Sequence, residues 1–265
     1  MMTKRKWWFG AGLWAVVALA LLAGSGAAGS RRQGQAQAVV PDPAVYTYVA
    51  LWDVPRPDWG DIEKFYKDAQ PTLDKLVMAG TLVGYGNARA WVHDANGFTH
   101  ANWMTATSFA DLDAALKAIR GALPSPAAFA KAKHVDEVLR SAIHGGKAGA
   151  SGTGMLWVAQ YRLRAGQMDE FSQLFDSQIR PMFDEQVTAG TILGYWLNFH
   201  AVHTEDPIGA SLVYLLPDAA AVDKFQAALA ANEAKNPELG TAMLATMEYA
   251  SHRDSVFEVL SFRRK

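Results

Sequence analysis

The chain has 265 residues, 50% of them hydrophobic, with 25 basic against 26 acidic side chains and no cysteine. That composition excludes disulfides, thiolate metal sites, thiol nucleophiles and redox cysteine pairs, while the length is sufficient to bury a core without covalent staples. The balance of charge gives no footprint for nucleic acid or for an anionic membrane surface.

Residues 1–38 read as a secretory signal with a short tail. Lys4, Arg5 and Lys6 make a basic start, residues 7–23 are apolar, and small residues continue to Gly29. Ala36-Gln37-Ala38 is an A-x-A cleavage pattern, and a cut after Ala28 is its rival. The alternative is an uncleaved anchor, because the apolar run reaches the lower limit of about 17 residues for a spanning helix. The expectation is export to the periplasm or beyond, with no membrane contact after cleavage. Taking Lys4, Arg5, Lys6, Arg31 and Arg32 from the 25 basic residues leaves 20 against 26 acidic ones, a formal charge of −6 for the mature part.

The mature chain is one unit written twice, over residues 45–144 and 155–265. Residues 71–85 align without a gap on residues 181–195 with eight of fifteen positions identical, including Ala79-Gly80-Thr81 on Ala189-Gly190-Thr191 and Gly84-Tyr85 on Gly194-Tyr195. The same offset carries His93 onto His203, and a small insertion later brings His134 and Asp136 onto His252 and Asp254. Each copy opens with a β-branched and aromatic run, residues 46–54 and 156–163, predicting a strand. A helix comes next, capped by Asp58 in copy one and striped by Ile62, Phe65, Ala69, Leu73 and Leu76. Pro71 and Pro181 fall inside these helical stretches and predict a kink or restart. Gly80 and Gly190 then end them, since glycine takes the left-handed C-cap conformation at little cost.

Residues 81–93 predict a strand that turns at Asp94-Ala95-Asn96-Gly97 into a second strand over residues 98–106. A capping box at Ser108-Phe109-Ala110-Asp111 opens the second helix, whose counterpart starts at Asp218. A short helical piece and a last strand, residues 137–143 and 255–262, complete each copy. Residues 145–154 have the Gly/Ser/Ala composition of a flexible linker. The order β-α-β-β-α-β is the ferredoxin-like arrangement, so the fold class is α+β with two tandem ferredoxin-like repeats.

The run Ala79-Gly80-Thr81-Leu82-Val83-Gly84-Tyr85 entering a hairpin, then Trp103 and the Ser108 capping box, resembles the dimeric α+β barrel superfamily. That superfamily includes antibiotic-biosynthesis monooxygenases, EthD-like and NIPSNAP-like proteins and, as tandem members, chlorite dismutases. The resemblance implies two units packed sheet to sheet, here closing a barrel around a cavity inside one chain. The Asn, Trp and His set of haem-degrading members has no residue-by-residue match in this sequence. No cofactor is therefore expected, with haem left open by the resemblance alone.

Candidate chemistry lies in polar groups on sheet strands. Alternation puts Tyr85, Asn87, Arg89, Trp91 and His93 on one face; Tyr195 and His203 match that face in copy two, with Asn198 and His200 on the other. His200 and His203 are three apart on a strand and so point to opposite faces, which argues against a metal pair; no metal is expected. His93 and His203 end their strands at hairpins, where an imidazole serves turn backbone groups or, alternatively, acts as an acid or base at a cavity mouth. His134 with Asp136, and His252 with Asp254, stand before the last strands as turn or site pairs. No nucleophile elbow, phosphate loop or dinucleotide fingerprint is present. The leading expectation is an exported protein binding a small molecule in the barrel cavity. A cofactor-free or haem-handling monooxygenase-like enzyme and an envelope interaction module are the alternatives, and further oligomerisation stays open.

Overall fold

In a computed structural model the described residues are 45–93, 97–202 and 209–265. The segment read as a signal, most of the predicted first hairpin turn and His203 lie outside them. The elements run β1 (Val45–Asp53), α1 (Trp59–Ala79), β2 (Gly84–Ala90), β3 (His100–Ala106), α2 (Phe109–Ala122), α3 (Ala127–Lys131) and β4 (Lys133–Gly146). The second repeat continues with β5 (Ser151–Leu163), α4 (Met168–Leu174), a π turn (Phe175–Ile179), α5 (Arg180–Thr188), β6 (Gly194–His200), β7 (Gly209–Leu216), α6 (Ala219–Lys235), α7 (Pro237–Thr246) and β8 (Met247–Arg264).

The strands close into one barrel in the order β1-β3-β2-β8-β5-β7-β6-β4, every pair antiparallel. Each repeat contributes a four-stranded ferredoxin-like sheet, and the two join at two seams, β2 with β8 and β4 with β6. Closure inside one chain removes the free edges that an open sheet would present to other proteins. The helices pack on the outside.

Local chemistry sets the element ends. The Asp111 backbone N–H donates to Ser108 Oγ and that of Ala221 to Asp218 Oδ1, so the predicted second-helix caps are in place. Asp58 stands at the N-cap of α1, but its carboxylate pairs with Lys131 of α3 at 3.1 Å and makes no cap bond. Gly80 and Gly190 sit at φ 82° and 74°, the left-handed conformation expected of them. The two prolines act differently: α1 runs through Pro71 unbroken, whereas in the second repeat the chain passes through the π turn and restarts with Pro181 in the first turn of α5.

The predicted linker is mostly strand. β4 continues to Gly146 and β5 starts at Ser151, leaving a turn of four residues. These glycines answer to packing: a β-carbon on Gly145 would lie 2.6 Å from the Tyr195 ring, and one on Gly146 or Gly194 would collide with the Arg264 guanidinium.

Inside the barrel, Leu156, Leu215, Phe257, Val259 and Phe262 pack with Trp103 and Trp196. Trp103 lies directly over Gly86 on the neighbouring strand. The second repeat reverses the pair, with Trp196 on β6 opposite Val213 on β7, so the barrel receives one indole from each repeat. Gly86→Ala should thus drive a methyl into the Trp103 ring and lower unfolding stability by about 1–3 kcal/mol, measured by urea denaturation.

Candidate functional site

A cavity of about 230 Å³ lies in the first repeat, between the outer face of its sheet and its helices. Its floor includes Trp52, Asn87, Asn102 and Met104, and its roof Tyr66 and Leu73 of α1 with Ile119 of α2. Trp52 Nε1 donates to Asn102 Oδ1 at 3.0 Å, and Asn87 Nδ2 to Ser261 Oγ at 3.0 Å. The Asn102 amide nitrogen and the Asn87 amide oxygen have no partner among the described residues. Nor does the Tyr66 hydroxyl, which is buried in the wall and whose pKa is raised by that burial. An apolar pocket with a few unspent hydrogen-bonding groups is the usual form of a small-molecule site.

The corresponding space in the second repeat is filled. Phe175, Phe183, Tyr195, Tyr214 and Phe225 form a ring cluster there, with Phe183 centred 5.1 Å from Tyr195, 6.1 Å from Tyr214 and 5.1 Å from Phe225. Their counterparts are Phe65, Leu73, Tyr85, Met104 and Ala115, so three aromatic rings are missing from the first repeat. The amides show the same contrast, since Asn87 and Asn102 stand where the second repeat has Leu197 and Leu212.

Exposed Arg120, Ser125, His134 and Asp136 line the outer part of the cavity. The sequence pattern places His134 and Asp136 ahead of the last strand. They sit within β4, because that strand begins at Lys133, four residues earlier than the apolar pattern indicates. Two apart on a strand, they share the helix-facing side. His134 stacks on Trp52 at 4.6 Å between ring centres, and Asp136 accepts from Tyr48 Oη at 2.7 Å. The second repeat preserves this device in β8: His252 stacks on Tyr161 at 4.9 Å, and Asp254 accepts from Trp157 Nε1 at 2.8 Å. Burial works to raise the Asp254 pKa, but hydrogen bonds from His252 and Trp157 outweigh it and hold the carboxylate below its usual range.

Other candidates lie elsewhere. Tyr85, Asn87 and Arg89 share a face as alternation requires, but that face meets the helices and not the barrel interior. Tyr85 donates to Asp74 of α1 at 2.8 Å, and Tyr195 donates to the matching Asp184 of α5. Burial first, then these hydrogen bonds, raise both phenol pKa values. The cavity of the first repeat therefore lies on the outer face of a single sheet and not inside the barrel, where the resemblance implies it.

Arg89 bridges Glu63 of α1 at 2.9 Å and Glu258 of β8 at 2.6 Å. Strand β2 ends at Ala90, so alternation fails beyond it: Trp91 is 60% exposed, and His93 stacks on Trp59 at 5.4 Å. His200 ends β6 opposite Leu139, and its Nδ1 is buried without a partner among the described residues. No cluster of three or more His, Asp or Glu side chains forms a metal site among the described residues.

Sequence reasoning missed His100. It is fully buried in β3, its Nδ1 3.0 Å from Thr99 Oγ1 and its Nε2 3.8 Å from Glu63. Burial, then the nearby charges of Arg89 and His93, lower its pKa to about 4. The available signal was positional, because the matching residue in the second repeat is Ala210.

No family model matches the sequence, and no curated protein resembles it in sequence. Solved structures do resemble the fold. A "putative monooxygenase" from Fusobacterium nucleatum superposes with a TM-score of 0.61 at 10% identity, over 84% of this chain and 94% of that one. Another "putative monooxygenase", from Lactobacillus acidophilus, gives 0.54 at 7% identity, over 84% and 97%. The chain has an α+β barrel fold built from two tandem ferredoxin-like units. An anthrone oxidase-like protein, at 0.50 and 10% identity over 84% and 94%, shares this barrel. At such identities the likeness concerns the fold, and function has to be argued from the site.

Proposed function

We propose that this protein binds a small, largely aromatic molecule carrying an oxygen function in the cavity of its first repeat. The supporting observation is the open space itself, kept clear by Leu73, Met104 and Ala115 where the second repeat has aromatic rings, and furnished with the unspent groups of Asn87, Asn102 and Tyr66. Apolar walls favour the ring, while the amides and phenol favour an oxygen that pairs with them. At about 230 Å³ the space is smaller than the roughly 300–1,000 Å³ of pockets for drug-sized ligands, which points to a compact molecule.

1-Naphthol is a suitable probe. Titration should quench tryptophan fluorescence saturably, because Trp52 lines the site; a linear, unsaturable response would remove the reading.

A second reading is oxygenation of the bound phenol by O2 to the quinone, the phenol supplying the electrons and the second oxygen atom leaving as water; it is supported by the names of the two monooxygenase-like neighbours and by the imidazole and carboxylate of His134 and Asp136 at the cavity. Oxygen uptake during the same titration tests it.

Haem does not fit this site. The three helices over the cavity contain no histidine, and a space of about 230 Å³ falls below the roughly 300–1,000 Å³ of pockets for drug-sized ligands, which are themselves smaller than a haem macrocycle. Added haemin should give no one-to-one shift of its Soret band.

Export completes the proposal. It rests on the basic, apolar and small-residue succession of residues 1–38. N-terminal sequencing of the protein from the producing cell should find Val39 or Gly29 first; an intact Met1 would reject cleavage.

A further inference from the structure

At one end of the barrel, on the opposite side of the sheet from the first-repeat cavity with which it shares Trp103, the Arg264 guanidinium spans the interior. Arg264 belongs to the β2–β8 seam, paired with Gly84. Its mate at the β4–β6 seam is Gly146, paired with Gly194. The side chain crosses from the first seam to the second and occupies the room left by Gly146 and Gly194, with Nη1 donating to the Gly145 carbonyl at 3.0 Å. Its plane sits on Trp196, 4.8 Å from the ring centre.

Charge separates this arginine from its neighbour. Arg263, on the other face of β8, pairs with Asp74 at 3.1 Å. Among the described residues no carboxylate lies within ion-pairing distance of Arg264. Burial lowers its pKa to about 10, the direction expected of a cation short of both water and a counter-charge. A guanidinium has five N–H donors in a planar fork, and the Gly145 carbonyl takes one. Beside it is a small space of about 60 Å³, lined also by His144, Trp103 and Trp196.

We propose that this end of the barrel is a binding site for a small planar oxyanion of the monocarboxylate class, gripped by the Arg264 fork between the two indoles. The space matches about two water molecules at roughly 30 Å³ each, room for an acetate-sized anion. A fork of parallel N–H groups meets a planar carboxylate in a bidentate pair. The site is single, because the pseudo-symmetric position carries Gly146.

Sodium acetate, compared with sodium chloride at equal ionic strength, is the probe. The Arg264 Nε–Hε signal in nitrogen-15 NMR of the unmodified protein should shift saturably with acetate and not with chloride. Arg264→Lys, which retains the charge and loses the fork, should weaken acetate binding at least tenfold by the tryptophan fluorescence it perturbs. Equal responses to acetate and chloride, or a lysine variant that binds as tightly as the parent, would overturn the proposal. Because 1-naphthol reports on the other site, its binding should be unaffected by Arg264→Lys, so the two readings fail separately.

Discussion

Leu73→Phe combined with Met104→Tyr should abolish 1-naphthol binding, weakening it more than tenfold, while leaving the melting temperature equal or higher. Both side chains border the cavity, and the replacements are those that the second repeat carries at Phe183 and Tyr214. Overpacking normally costs about 1–3 kcal/mol. Here the two residues already coexist on the same backbone frame in the other repeat, with rings 6.1 Å apart, and the first repeat supplies empty volume to receive them. Filling a void of this kind commonly stabilises by about 0.5–2 kcal/mol. Tenfold in affinity corresponds to about 1.4 kcal/mol, which exclusion from the pocket readily exceeds. Undiminished binding by a folded double variant would place the ligand elsewhere.

Acid should destabilise the protein through His100, by up to about 3 kcal/mol between pH 6.5 and 4. Its folded pKa of about 4 lies below the unfolded value near 6.5, so in this window the unfolded chain holds a proton that the folded one lacks. Stability therefore rises with pH through the window and is lost as pH falls through it. Burial is the main cause of this direction; Arg89 from β2 and His93 beyond it add repulsion against a further positive charge, and Glu63 of α1, the acid facing the imidazole among the described residues, is already held by Arg89. Urea midpoints measured across this range should slope for the parent protein and flatten for His100→Gln. Parallel slopes would assign the acid sensitivity to other groups.

The repeat, the element order and the helix caps were legible because they depend on local chemistry: Ser108 and Asp218 as caps, Gly80 and Gly190 as left-handed stops. The cavity was not. Alternation assigns Tyr85, Asn87 and Arg89 to a common face, but which face is covered by helices depends on how the whole sheet is packed. The glycine-rich stretch misled for a related reason. Gly145 and Gly146 look like linker residues, yet they are required by Tyr195 and Arg264, which approach them from distant parts of the chain. The asymmetry was within reach, since Asn87 already lacked a polar counterpart; that its counterpart Leu197 helps to fill the other repeat needed the packing.

Closing the barrel within one polypeptide also frees the halves from having to be identical. In a barrel made from two copies of one chain, any mutation appears in both halves, so such an assembly has two pockets or none. The fused chain escapes that rule. One half is consolidated with aromatic rings and the other kept open, so the proposed site predicts one molecule of naphthol-type ligand per chain. It also leaves no second equivalent site within the chain through which binding could become cooperative, so the titration of a single chain should trace a simple hyperbola.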